Sequence, residues 1–573
     1  MMTQTLQSRP DFHPPHTPPR QPWQPQQEAV RREWSRAACL AERLEAHRQR
    51  GSLPRLQAGA LARGYRPEQQ WRAQAPFASL PVFLRRLEQQ GLDEQEFRAI
   101  LGGAAAPAAE GEQAPGWLAG WLAAFWRDAA VTEPPASPEV AALQVLEPAL
   151  ATARARLRTG IARLLANYRE CPFDATTAET LLMDLLRPRL ARIAAPVFLL
   201  ELENLELEAP VASRGETLLR LVRRYGRRER ALELFRRYPL LARQLSEALE
   251  AWVETGLAFL DHLAGDWPQL RSRFGGETGL GALVALAVAD NGADLVAFFG
   301  CDRGLVYRPR PVAVDRHFQE LLAWLNRRGL RYPLRELAVL DLEDHGWLVF
   351  AEDQECAEAD LARRHWRQGA YLALLYALDA APATGEALVL AGEHPVLTGA
   401  ALLFQARLPG FAPQEDVAET LPGRAEGYAD HAEELDVGFV AVYGLLLTGS
   451  RELLAADGPL TAFAQDPLHF RLRPRADYLA LLTEACAPEV QRDALERDRL
   501  FDRLWLAVEH APALDPLVPL EQAELRRGRL PAFHGTPGSR DLEAGACRLP
   551  EILAASPLER MCRRLARSLE RLG

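Results

Sequence analysis

The apolar residues of this chain change their period near residue 266, and that change limits the fold more than any other feature. Before it, apolar positions recur about every 3.6 residues. The clearest stretches are Phe83, Leu84 and Leu87, then Leu143 to Leu165, Leu181 to Leu190, and Leu218 to Leu260. Such spacing predicts helices. After it, short apolar runs bounded by Gly or Asp predict strands: Ala282 to Ala289, Leu295 to Phe299, Gly304 to Tyr307, Leu337 to Leu340 and Trp347 to Phe350. A helix from Val314 to Leu325, ended by Gly329, interrupts them. A helix from Leu361 to Ala377 follows, then a hairpin of Ala387 to Ala391 and Val396 to Leu397, and the rest is expected to be mostly helical. The expected fold class is therefore α+β and mostly helical. The expected divisions are 1–27, a polar Pro-rich disordered tail; 28–265, a helical region; 266–355, a small β-rich lobe; and 356–573, a helical lobe.

Composition excludes several roles. A net charge of −10 and a pI near 5.8 argue against a general nucleic-acid binder. No apolar run approaches the roughly 18 residues needed to cross a bilayer. The N-terminus lacks the apolar core of a secretion signal. The seven cysteines, at 39, 171, 301, 356, 486, 547 and 562, form no CxxC pair. They read as small buried hydrophobes in a reducing cytoplasm rather than as zinc ligands or a disulfide framework. Trp117, Trp121 and Trp126 read as core residues.

The chain has no lysine, and all 67 of its Lys+Arg residues are arginine. Codon drift accounts for a general deficit, but it should spare an essential catalytic lysine. The strand Gly304-Leu305-Val306-Tyr307-Arg308-Pro309-Arg310 looks like a kinase-type phosphate-binding strand, which would carry lysine where Arg308 stands.

Several segments, in order, resemble the N-terminal dehydratase domain of class II lanthipeptide synthetases (LanM-type). They are Leu190 to Phe198, Leu305 to Pro311 with Phe318 to Asn326, Gly346 to Phe350, Ala391 to Leu397, Asp493 to Leu500 and Pro537 to Leu542. The likeness runs from about residue 80 onward. It implies a lipid-kinase-like bilobal core that phosphorylates Ser and Thr of a precursor peptide with ATP and Mg²⁺, then eliminates phosphate. A zinc cyclase domain usually follows in the family, and none is expected here.

The departures fall on the chemistry. The resemblance puts the strand lysine at Arg308. The family's Asp-x-His-x-x-Asn stretch becomes Pro382 to Ala387, and its Asp-x-Glu-Thr stretch becomes Gly399-Ala400-Ala401-Leu402. The earlier Ser-Asp-x-His stretch leaves at best Asp290. The eliminating Arg and Thr fall on His469 and Arg475, around Arg473-Pro474-Arg475. Mg²⁺ needs hard oxygen ligands, and Ala387, Gly399 and Ala401 supply none. No catalytic residue or metal site is therefore expected, and Asp379 with Glu386 is the substitute metal pair left to weigh. Arg308 and Arg310 are the positions expected to keep residual phosphate binding, that is, ATP without Mg²⁺. Asp344-His345 and Ser539-Arg540-Asp541 read as turns rather than acid/base groups. The expected role is a cytoplasmic pseudoenzyme binding precursor peptide or a partner modifying enzyme. The alternative is an active peptide-modifying enzyme, a Ser/Thr dehydratase or other transferase, with rewired chemistry.

Overall fold

The computed structural model describes residues 34–49, 58–103, 115–129, 134–208, 213–277, 279–289, 294–380, 388–408 and 430–572. The expected tail, Asp290, Glu386 and Ala387 lie outside them, and for Ala401 only the backbone is described. The chain is mostly helical with small antiparallel sheets, an α+β protein.

Among the described residues, the regular elements from Leu40 to Phe274 are all helices. The first sheet then forms from β1 (Leu283–Val288), β2 (Leu295–Phe299), β3 (Arg303–Arg308), β4 (Val339–Asp341) and β5 (Gly346–Val349), in the order β1-β2-β3-β5-β4. Its pairs are antiparallel. Alternation along β3 sorts its side chains: Leu305 and Tyr307 enter the core, while Val306 faces Val312, Val339 and Leu348. The Ala313–Arg327 helix lies between β3 and β4, as its apolar period requires. Gly329 then takes a φ of 78°, which favours glycine and ends that helix. The hairpin is β6 (Leu388–Ala391) with β7 (His394–Leu397).

The C-terminal part departs from expectation. Read as mostly helical with no strand singled out, it also holds a second sheet of β8 (Leu468–Phe470), β9 (Phe533–Gly535), β10 (Leu542–Ala544) and β11 (Cys547–Leu549), ordered β11-β10-β9-β8. Each strand has three residues, too few to show a period of two. Trp126 also departs: it is 66% exposed, while Trp121 is buried. Of the cysteines expected to be buried, Cys39 is, whereas Cys547 on β11 is exposed and the other five are half-buried.

Packing cuts across the expected boundary at 265/266. One core joins Leu40, Trp71, Phe83 and Phe97 to Phe318, Trp366, Tyr478, Phe501 and Leu565. The other runs from Trp121, Leu182, Phe198 and Leu260 into the sheet through Leu295, Leu305, Tyr307 and Trp347. Two buried carboxylates of the Ala494–Phe501 helix and its exit tie the first core together. Asp498 accepts from the Leu40 amide at 2.6 Å and from Arg526 Nε at 2.7 Å. Asp502 accepts from Trp71 Nε1 at 2.6 Å, Arg86 Nε at 3.0 Å and Gln522 Nε2 at 2.8 Å. The Asp493–Leu500 segment that carried part of the resemblance thus has a structural task. A second fixed point is the crossing of the Leu361–Ala377 and Ala432–Thr448 helices. A Cβ on Gly369 would lie 1.9 Å from the Leu435 carbonyl, and one on Gly438 1.9 Å from the Trp366 carbonyl, so only glycine allows this contact.

Candidate functional site: an arginine-walled cleft

Arg308 ends β3 and is 3% exposed. Its Nε donates to Asp294 at 3.1 Å, one terminal nitrogen reaches Asp315 at 2.5 Å, and the other donates to the Thr398 carbonyl. Asp315 lies in the first turn of the Ala313–Arg327 helix, where the positive end of the helix favours a carboxylate, and it also accepts from the Ala400 amide at 3.2 Å. Asp294, 1% exposed, is further gripped by both terminal nitrogens of Arg310, one of them at 3.0 Å. Burial opposes the Arg308 charge, but Asp315 and Asp294 outweigh it and hold the guanidinium above its ordinary range. The position expected to face phosphate is therefore the hub of an internal ion network. It joins the start of β2, the end of β3, the following helix and the segment leaving β7. A phosphate at Arg308 would have to displace a carboxylate.

The metal ligands implied by the resemblance do not fit this site. Gly399 lines the cleft with no side chain, and a Cβ there would meet nothing within 4 Å. Asp379 is taken up by Arg407 at 2.9 Å, Arg560 at 2.9 Å and Arg564 at 2.6 Å. Burial would raise its carboxyl, but the three arginines hold it below the usual range. Glu393 is paired with Arg363 at 2.8 Å and Arg367 at 3.1 Å. Its neighbour Glu386 lies outside the described residues.

His469 sits on β8 against His534, with ring centroids 4.3 Å apart. Burial, then the charges of His534 and Arg310, push its imidazole down to about 4. It is neutral at physiological pH and supplies no fixed positive charge for a departing phosphate. Arg473 is committed to buried Glu521 through Nε at 2.9 Å and a terminal nitrogen at 3.0 Å, and Glu521 also accepts from the Tyr478 hydroxyl at 2.5 Å. Arg475 opens the Arg475–Glu484 helix on the cleft wall.

The two sequences read as turns differ. Ser539-Arg540-Asp541 is one: Ser539 Oγ accepts from the Asp541 amide at 3.0 Å, and Asp541 pairs with Arg548. His345 is instead buried. Its ring nitrogens meet Asp344 at 2.6 Å and Asp266 at 2.8 Å, and it stacks on His262 with centroids 3.8 Å apart. Asp266 stands 79 positions away, so no local pattern shows this.

Arg308, Arg310, Gly399, His469, Arg473 and Arg475 line one large cleft of about 1780 Å³, running from the sheet face (Val296, Phe298, Val306, Leu348) past Gly399 to the C-terminal helices. Among the lining residues twelve are arginines and four are carboxylates, so the cleft is strongly cationic in an acidic chain. Sequence reasoning named Arg308, Arg310, His469, Arg475 and Gly399, and all five line this cleft. It did not single out Arg189, Arg192, Arg471, Arg527 and Arg529 on the same wall. Their signal is the recurrence of arginine at 189 and 192, at 471, 473 and 475, and at 526, 527 and 529. A smaller cavity of about 460 Å³ shares Arg310 and His469 with the cleft.

Fold and site together define an α+β protein with a cationic cleft and no kinase-type ligand set at Arg308 and Gly399. The chain belongs to the family described as Domain of unknown function (DUF4135), which matches residues 238–422 and 409–536 and so covers both sheets' origins, the Arg308 network and the hairpin. No curated protein matches the chain.

Proposed function

We propose that this chain is a LanM dehydratase-like protein of lanthipeptide-type ribosomal peptide biosynthesis. In this reading it lacks peptide kinase and eliminase chemistry, and acts in the cytoplasm by binding a precursor peptide or a partner modifying enzyme. Membership of a family associated with LanM-like synthetases supports the pathway. The observation that carries the loss of chemistry is Arg308. Phosphoryl transfer depends on groups positioned to neutralise the moving phosphate and its metal. Here the strand cation is neutralised internally by Asp294 and Asp315, while Gly399 offers no ligand.

Two measurements test this. The purified chain is incubated with a Ser/Thr-rich precursor peptide, ATP and Mg²⁺, and the peptide mass is expected to stay unchanged. A gain of phosphate or loss of water that Arg308→Ala abolishes would sink the pseudoenzyme reading and favour a rewired enzyme. Calorimetry with the precursor and with a co-expressed modifying enzyme is expected to show binding of at least one near about 10 μM, where specific complexes are readily measured. Silence from both would remove the binding role.

A further inference from the structure

The far wall of the cleft has charge to spare. Arg189 and Arg192 lie one turn apart on the Ala175–Glu208 helix, on the face that also brings Pro188 and Pro196 to the cavity. Arg527 and Arg529 follow the end of the Val518–Arg526 helix, where they share the single carboxylate of Glu524, at 2.5 Å from Arg527 and 4.0 Å from Arg529. Arg471 and Arg475 flank Arg473 on the same wall, and Arg473 is buried against Glu521. Among the described residues none forms an ion pair with Arg189, Arg192 or Arg471. Burial and the neighbouring Arg192 and Arg529 charges pull Arg189 below the ordinary arginine range. Arg471 is lowered by burial and by Arg475 and Arg310. Like charges crowded into one concave surface cost free energy until an anion enters, so the geometry calls for a negatively charged occupant.

The size and lining decide what kind. A cavity of about 1780 Å³ exceeds the roughly 300–1,000 Å³ typical of a small-ligand site. Its wall also alternates the arginines with apolar Leu479, Leu482, Leu525 and Leu530. An extended peptide presents successive side chains to opposite sides. Acidic side chains then meet the guanidiniums while apolar ones meet the leucines. Arginine's planar fork suits carboxylates in pairs.

We infer that the cleft between the Ala175–Glu208 helix and the Arg471–Arg475 and Arg527–Arg529 segments is a binding site for an extended acidic peptide with interleaved apolar residues. This deepens the peptide-binding reading above and rests on it.

The test uses the full chain and a fluorescein-labelled peptide of alternating glutamate and leucine, followed by anisotropy. Binding is expected, and the matched glutamine-leucine peptide is expected to bind at least about tenfold more weakly. Raising salt from about 0.1 M to about 1 M, which shortens the screening length from about 10 Å to about 3 Å, is expected to weaken the acidic peptide further. The variant Arg189→Gln/Arg192→Gln is expected to lose about tenfold, with helical content and urea midpoint unchanged. Arg451→Gln, outside the cleft, is expected to lose nothing. A second pair, Arg527→Gln/Arg529→Gln, covers the case in which the first variant misfolds. No binding of the acidic peptide, equal binding of the glutamine version, or full affinity in both double variants overturns the inference. So does tighter competition by ATP, inorganic phosphate or a single-stranded oligonucleotide than by unlabelled acidic peptide. Failure here with intact precursor binding would leave the proposed function standing and place its site elsewhere.

Discussion

Removing the Arg308 guanidinium exposes how much of the small lobe depends on it. In Arg308→Met, Asp294 keeps Arg310 at 3.0 Å, whereas Asp315, 4% exposed, keeps only the Ala400 amide at 3.2 Å. Asp315 is then a buried carboxylate without a counter-ion. Breaking a buried pair in this way costs about 3–5 kcal/mol, because the remaining charge is left in low dielectric. The loss should therefore sit on Asp315, and taking that carboxylate away as well should restore stability. Arg308→Met/Asp315→Leu is expected to recover about 2 kcal/mol or more of the loss, a coupling of the size seen for residues in one network. Urea unfolding is the appropriate assay, since a shift of midpoint at unchanged slope reports a change in stability. The reasoning fails if Arg308→Met costs less than about 1 kcal/mol, or if the double variant is no more stable than the single one.

Arg308→Lys is expected to destabilise the chain and to leave a precursor peptide's mass unchanged, because one ammonium cannot serve Asp294, Asp315 and Thr398 in the places a guanidinium does. Adding Gly399→Asp, which has room for its side chain, and Ala387→Asn is the least change that rebuilds a ligand set. A kinase obtained from the single substitution, read by mass spectrometry, contradicts the account. Gly369→Ala is expected to cost about 1–3 kcal/mol or more by forcing the two crossing helices apart, read as a lowered urea midpoint. Acid should weaken the fold through three histidine pairs. Burial and the partner histidine hold His262, His365 and His469 below their ordinary range, His469 at about 4. The unfolded chain then binds more protons, so this stability is whole above about pH 6.5 and is lost as pH falls toward 4. His469 alone is worth about 1–2 kcal/mol at pH 5, and His469→Gln should flatten the loss of urea midpoint between pH 7 and 5.

The first sheet and its helix were legible because each element shows itself locally. β2 is an uninterrupted apolar run, and the helix from Ala313 has apolar residues at helical spacing with a glycine behind it. The second sheet was not, since β8 pairs with β9 across more than sixty residues and neither strand is long enough to carry a pattern. Arg308 was legible as a substituted position, but its partners were not. Asp294 opens a different strand, and only folding sets it beside Arg308. The cationic wall escaped for a related reason. Arg189, Arg471 and Arg529 are ordinary surface arginines in sequence, and become a site only when three distant segments meet.

The clasps made by Asp498 and Asp502 have a consequence for how the chain is made. Leu40, Trp71 and Arg86 leave the ribosome long before their acceptors, which follow more than four hundred residues later. A growing chain adds about 5–20 residues per second, so the apolar faces around Leu40, Phe83 and Phe97 stay uncovered for tens of seconds. The first helices of this protein are thus among the last to settle. A premature stop before residue 498 releases a product in which Leu40, Trp71 and Arg86 lack the carboxylates that clasp them, so its first helices are expected to be the part most open to proteolysis.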